Sequence, residues 1–356
     1  MNADAKTLAK QFQPKQTKVL KPDRQLVTIR FSPCGKYLAG GGFDSIIRRW
    51  DVAATEPVEL PPLKGHGGWV QAIVFHPDKR RLFSVDSWGQ LFAWPYADKN
   101  PQRLWSVDKA HDGWIRDVAI SADGKWLATC GFDQMVRIWS TDNGKKLGEL
   151  AGHGCDVFSV AFHPSGQSVV SGDLKGVVKQ WDLKTNKVVK EFDARIMYKL
   201  SRLQDVGGVR RLAFDPLGAT LGCAGTQPTV GANVQGTPTI LLFDWQTGKV
   251  KHKMTIGGNG DGFVFDFHFH PAGFVMAVTS GNPGTGKFFF QKPGDAKPFF
   301  LATNLPNCHA LAVHPDGKHL AVSATNPGSN GNGRQLKNNQ YVGNFSPVHL
   351  FEMAGA

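Results

Sequence analysis

The chain has 356 residues, 41% hydrophobic and 20% charged, with a formal net charge of +12. That balance excludes a disordered chain, and the length exceeds one ordinary compact core, leaving a repetitive architecture or two domains. Cys34, Cys130, Cys155, Cys223 and Cys308 are far apart and odd in number, which argues against a disulfide framework or a zinc site and fits a reducing compartment.

Residues 1–15 are polar and lysine-rich, read as a basic tail with no apolar signal segment; no run approaches a membrane span, so the cytoplasm is the expected location. Next comes QTKVLKP (Gln16–Pro22), a short β-like run. From there one turn recurs along the chain: FSPCG, FHPDK, ISADG, FHPSG, FDPLG, FHPAG and VHPDG, led by Phe31, Phe75, Ile120, Phe162, Phe214, Phe269 and Val313. Apolar runs such as Val70–Phe75 precede the turn, and others such as Trp126–Cys130 follow it. A third run often ends in tryptophan, as in IIRRWD (Ile46–Asp51) and VVKQWD (Val177–Asp182), and a fourth follows a polar turn. Four short strands per unit, with no competing helical period, predict antiparallel meanders. A lone meander cannot bury both faces, whereas a ring of them can.

The pattern resembles the WD40-repeat family. Gly65-His66 and Gly152-His153 match its Gly-His, and Trp50-Asp51 and Trp181-Asp182 match its Trp-Asp; Ala110-His111, Trp139-Ser140, Trp94-Pro95, Phe243-Asp244 and Phe351-Glu352 are weakened versions. The resemblance implies an all-β, seven-bladed β-propeller over residues 16–354, in four-stranded antiparallel blades. The seventh unit reaches only its third strand near Phe351, so the N-terminal run at about 16–22 is expected to supply the fourth and close the ring.

Ser280–Phe290 reads SGNPGTGKFFF, and Gly281–Lys287 has the G-x-x-x-x-G-K spacing of a phosphate-binding loop. That loop needs Ser or Thr after the lysine and then a helix, but Phe288 and two more phenylalanines follow. Aligned with the other units, the segment is the turn between the second and third strands of blade six, and Asn326-Pro327-Gly328 is its counterpart in blade seven.

WD40 blades often carry a buried His, Ser/Thr, Asp and Trp set, which the resemblance places in blade three at His111, Thr129, Asp133 and Trp139. Blades two and four keep His66 with Trp94 and His153 with Trp181, but Asp86 and Asp173 lie two positions early. Blade one keeps Asp44 and Trp50 without Gly-His. Recurrence across blades favours a structural set over a hydrolase triad. His76, His163, His270 and His314 recur in the turns, too widely spread for one metal ion, and are read as turn-stabilising. No catalytic site, metal site or cofactor is assigned.

Long segments fall on one face: Ala194–Gly208, Thr226–Pro238 and Ala324–Pro347. On that face lie Phe43, Trp69, Trp114, Arg116, Phe132, Phe158, Arg210, Phe263 and His309, with Phe265 beside them. In WD40 proteins residues so placed commonly line a partner-binding entrance, and aromatic and Arg groups dominate binding hot spots. Ala194–Arg211 carries Arg195, Lys199, Arg202, Arg210 and Arg211 against Asp205. The expected function is a non-enzymatic protein-interaction scaffold for a protein or peptide, an acidic one if the basic charge serves binding. Nucleic-acid or ribonucleoprotein binding is the first alternative and a propeller hydrolase or lactonase the second.

Overall fold

The computed structural model describes residues 3–201, 203–229, 236–326, 334–337 and 340–353. Seven four-stranded antiparallel sheets follow one another along the chain, each running from an innermost to an outermost strand. The innermost strands are Leu26–Phe31, Val70–Phe75, Ile115–Ile120, Val157–Phe162, Val209–Phe214, Phe263–His270 and Ala310–Val313. Their order in the chain is the order of blades one to seven, so the architecture is the seven-bladed propeller expected from the repeats.

The chain ends are joined in the last sheet. Pro14–Leu20 pairs antiparallel with Val348–Met353, from Pro14 opposite Met353 to Leu20 opposite Val348. Leu20 is buried in a cluster shared by blades seven and one, with Leu26, Trp50, Ala321 and Val348. The closing strand begins two residues earlier than the sequence pattern suggested.

Residues 1–15 are not simply a polar tail. Ala3–Gln11 is helical. Ala5, Leu8 and Phe12, spaced three and four apart, bury one face of that segment in the cluster between blades six and seven. The Phe12 ring meets His270 and Phe274 at centroid distances of 4.7 and 5.1 Å. The lysines Lys6 and Lys10 occupy the remaining face, which is why the segment reads as polar.

Every blade interface has its own apolar cluster. Ala39, Ile47 and Leu63 of blade one meet Val70, Leu82 and Trp94 of blade two, and six equivalent clusters complete the ring. The turn histidines add polar links on the face away from the long loops. His314 Nε2 lies 3.0 Å from the Gly35 carbonyl oxygen, joining blades seven and one, and His163 Nε2 lies 3.1 Å from that of Gly218, joining blades four and five. Gly35 and Gly218 both have φ near +70°. A Cβ there would also fall within 2.2 and 2.7 Å of the histidine ring, so glycine is needed for two reasons. His76 and His270 engage Gly124 and Gly317 alike. The histidines thus steady not only their own turns but also the neighbouring blade.

The phosphate-loop spacing in blade six resolves as a turn. Thr285 N–H donates to the Asn282 carbonyl at 2.9 Å, Gly284 takes φ +84°, and Gly286–Gln291 is a strand. Its counterpart Asn326-Pro327-Gly328 lies partly outside the described residues. Of the three long segments, Ala194–Gly208 forms a hairpin, Tyr198–Ser201 with Gln204–Gly207. In Thr226–Pro238 the described residues continue the pairing of the second and third strands as far as Pro228 opposite Gly236. Within Ala324–Pro347, Arg334–Lys337 pairs with Gln340–Gly343. All five cysteines are unpaired, and no described helix is long and apolar enough to cross a membrane.

Candidate functional site at the channel mouth

Three blades carry complete polar relays that hold their loops. In blade three His111 Nδ1 lies 2.8 Å from Asp133 Oδ1, and His111 Nε2 lies 2.7 Å from Thr129 Oγ1. Trp139 Nε1–H donates to the same hydroxyl at 2.8 Å. A carboxylate can only accept, so Nδ1 carries the proton. Nε2 then accepts from Thr129, whose oxygen is free to accept from Trp139. Every donor has a partner.

Blades two and four build the same relay with the aspartate at the end of the second strand. Asp86 Oδ2 and Asp173 Oδ2 lie 2.9 and 2.8 Å from His66 and His153 Nδ1, and Ser84 and Ser171 take the place of Thr129. The two-position offset that appeared to break the pattern is therefore a second way of reaching the same histidine nitrogen. In blade one, which lacks the histidine, Arg48 pairs with Asp44 at 2.7 Å and also with Asp23. In the three histidine relays each imidazole nitrogen and each indole N–H has its partner. They lock loops.

The channel mouth is built differently. In six blades the innermost strand slips register by one residue near its start. The bulged residues are Val27, Gln71, Arg116, Phe158, Arg210 and Phe265. A β-bulge re-aims the extra side chain, and all six line one cavity of about 290 Å³ on the channel axis. His309 supplies the seventh wall, directly before the innermost strand of blade seven.

Rings and guanidinium groups then run from blade to blade. Phe43 meets Trp69 edge to face at 5.0 Å, and Trp69 meets Trp114 at 5.5 Å. The Arg116 guanidinium stands 4.6 Å from the Trp114 ring centre and 5.1 Å from that of Phe158. Arg210 lies between Phe158 and Phe263, at 4.1 and 5.0 Å. Phe263 contacts Phe265 at 6.1 Å, and Phe265 contacts His309 at 5.7 Å. The run touches all seven blades. Phe43, Trp69 and Phe265 still expose 43%, 41% and 39% of their surface, so a partner can reach them.

Below the mouth, charged groups bridge the channel. Arg30 of blade one pairs with Asp266 of blade six at 2.8 Å. Arg211 of blade five pairs with Asp266 at 3.1 Å and with Asp117 of blade three at 3.2 Å. Asp117 also accepts from Val160 N–H of blade four at 3.3 Å, and Asp266 from Leu311 N–H of blade seven at 3.2 Å. Burial pushes the Asp266 carboxyl up, but Arg30 and Arg211 outweigh it and hold its pKa at about 2. Asp117 is raised by burial against the pull of Arg211 and the Val160 N–H. A raised carboxyl in a cleft is a familiar mark of an acid catalyst. Here Arg211, Val118 N–H and Val160 N–H already occupy Asp117, so the group serves as a tie.

The family description "WD domain, G-beta repeat" matches residues 15–51, 58–94, 102–140 and 144–182, and the structure adds three further blades of the same build. The chain carries four WD40 repeats within a seven-bladed β-propeller. It is 26% identical over 155 residues to pre-mRNA-processing factor 19 of Caenorhabditis elegans, covering 43% of this chain and 30% of that protein. It is 30% identical over 162 residues to human pre-mRNA-processing factor 17, covering 43% of this chain and 27% of the relative. It is 28% identical over 156 residues to the chromatin assembly factor 1 subunit FAS2 homolog of rice, covering 41% of this chain and 31% of that one. The chain therefore spans about 30% of the length of the relatives it matches.

Within this WD40 propeller the expected partner-binding residues separate. Phe43, Trp114, Arg116, Phe158, Arg210 and His309 line the axial cavity. Phe263 borders the adjoining pocket with Arg116 and Arg210, and Trp69 touches the cavity wall through Trp114. Phe132 stands apart. It is 56% exposed, has no ring partner among the described residues, and only its N–H reaches the Trp114 carbonyl.

The basic cluster dissolves on inspection. Arg211 is spent in the channel, Arg195 pairs with Asp193 at 3.3 Å, and Lys199 Nζ donates to the Thr229 carbonyl. Arg202 lies outside the described residues. Val27 and Gln71 were missed in the sequence, since a bulge leaves no residue-type signature. His314, Asp316 and His319 cluster closely enough for a metal ion, but His314 Nε2 is on Gly35, its Nδ1 accepts from Asp316 N–H, and His319 Nδ1 is on Asp316. That cluster is a finished turn.

Proposed function

We propose that this WD40 propeller is a non-enzymatic interaction scaffold that captures a peptide or protein segment at the channel mouth on the long-loop face. The observation that carries this reading is the mouth itself. Seven side chains of five kinds, one per blade, are turned into one cavity, and aromatic rings, several of them exposed, surround it with guanidinium groups between them. Such groups supply large contact area at low entropic cost, as binding hot spots do.

The relatives' names connect those proteins with pre-mRNA processing and chromatin assembly. Assembly work of that kind suits a scaffold. Five free thiols favour a reducing compartment, on which we base a cytoplasmic location. Nucleic acid is the weaker reading, because the basic residues near the mouth are paired inside the protein or stacked between rings.

The test compares tagged wild-type protein with Trp114→Ala in affinity capture from native lysate, with and without nuclease. A stoichiometric protein that resists nuclease and is lost from a normally folded Trp114→Ala variant supports the reading. Capture that disappears with nuclease, or that is indifferent to Trp114→Ala, overturns it.

A further inference from the structure

Two arginines meet at the mouth and are unequally provided for. Arg116 reaches Asp156 at 3.4 Å, a long ion pair, and its Nε has no hydrogen-bond partner. Arg210 makes no ion pair or hydrogen bond with any described residue, and its Nε is likewise buried without a partner. It is held only by the faces of Phe158 and Phe263. Burial and the neighbouring Arg116 pull its pKa down to about 10, with Asp156 opposing. Arg210 is half-buried, and its Nε has lost water without gaining a partner, which costs stability; a fold that needed only packing here would do better with a methionine.

The charges around the cavity indicate what is lacking. Its walls carry Arg30, Arg116, Arg210 and Arg211 against Asp117 and Asp266. Arg30 and Arg211 are neutralised by the two aspartates at the floor, and Asp156 answers Arg116 from outside. His309, lowered by burial to about 4, is neutral near pH 7. One unit of positive charge is left, on Arg210. Asp205 borders the adjoining pocket, but one of its oxygens is held by the Tyr198 hydroxyl at 2.6 Å.

We propose that Arg210, with Arg116 beside it, receives the carboxylate of an aspartate or glutamate side chain that a partner segment inserts into the channel mouth. This deepens the scaffold reading and rests on it. A guanidinium gripped on both faces by phenyl rings keeps its N–H edge fixed, which suits a planar carboxylate. A single carboxylate matches the residual charge. A dianionic phosphate would bring a second negative charge toward Asp117 and Asp266. The flanking rings, Trp114 on one side and Phe265 on the other, suit apolar or aromatic neighbours of the acidic residue.

The experiment pans a library of random twelve-residue peptides on phage against the wild-type protein, then measures binding of the enriched synthetic peptides to wild type, Trp114→Ala, Arg210→Met and Arg210→Lys. The expected result is a shared Asp or Glu beside an apolar residue. Affinity falls at least tenfold in Arg210→Met, recovers in part with Arg210→Lys, and falls equally when the peptide's acid is replaced by its amide. Because Arg210 has no ion pair or hydrogen bond to abandon, and a methionine still packs between Phe158 and Phe263, Arg210→Met should melt no lower than wild type. Peptides that lose binding in Trp114→Ala but carry no common acid, or ignore Arg210→Met, overturn the carboxylate assignment alone. Enrichment that ignores Trp114→Ala, or no enrichment at all, overturns the mouth as a peptide site and this proposal with it. A melting temperature that drops in Arg210→Met shows Arg210 to be structural and also overturns the proposal.

Discussion

Thr129→Val in blade three tests whether the polar relays hold the propeller together. The two side chains have nearly the same shape, so no cavity opens and only the hydroxyl is lost. That hydroxyl accepts from Trp139 Nε1–H at 2.8 Å and donates to His111 Nε2 at 2.7 Å, and both partners are only 4% exposed. Valine leaves one buried donor and one buried acceptor empty, each costing about 1–3 kcal/mol. Together they amount to about 2–6 kcal/mol, a large part of the roughly 5–15 kcal/mol typical of a folded domain. Urea unfolding followed by tryptophan fluorescence reads this as a lower midpoint with unchanged slope. Trp139→Phe supplies the control, because once the indole N–H is gone the added cost of Thr129→Val should shrink. A loss below about 0.5 kcal/mol, the range of surface substitutions, would refute the relay as a stabilising device.

Two further outcomes follow from the closure and from the histidines. Removing residues 1–13 takes away the helix and Phe12 but leaves the closing strand, and should cost about 3–5 kcal/mol, as for deletion of a buried aromatic. Removing residues 1–24 also bares the edge of Val348–Met353 and should lower the melting temperature much further, with aggregation; equal melting of either truncation and the full chain would refute the packing it tests. Burial lowers the pKa of His76, His111, His270 and His349 below 6.5, and that of His268 and His309 to about 4. The unfolded chain therefore binds more protons than the native one between about pH 6.5 and pH 4. Stability should be flat above about pH 7 and fall through that window, so a melting temperature unchanged from pH 7.5 to pH 4.5 would refute buried neutral histidines.

The fold was legible because repetition makes each weak signal count seven times. The turn from Phe31 to Val313, the Trp-Asp pairs and the missing last strand all point to one ring. What stayed hidden depends on geometry that residue types do not encode. Asp86 looked misplaced because the reach of a strand-end carboxylate to His66 depends on the path of the backbone. The helix Ala3–Gln11 has a single apolar stripe of three residues, too short to stand out among lysines. Arg210 and Arg211 read as one basic patch, although the bulge at Arg210 sends the two side chains to different partners around the same cavity. One stacks at the mouth and the other ties blades five, three and six together.

That contrast between repeated and unrepeated positions is the strongest argument for where function lies. The relay histidines of blades two, three and four, the turn glycines and the interface clusters recur with the same chemistry, because every blade faces the same folding problem. The bulge position recurs as geometry but not as chemistry: Val27, Gln71, Arg116, Phe158, Arg210 and Phe265 are aliphatic, amide, cationic and aromatic in turn. Packing does not require that diversity, since a ring of small apolar residues would fill the axis without leaving the Arg210 Nε buried and unpaired. A site that discriminates one partner segment from others does require it, because specificity comes from distinct contacts placed around a single cavity.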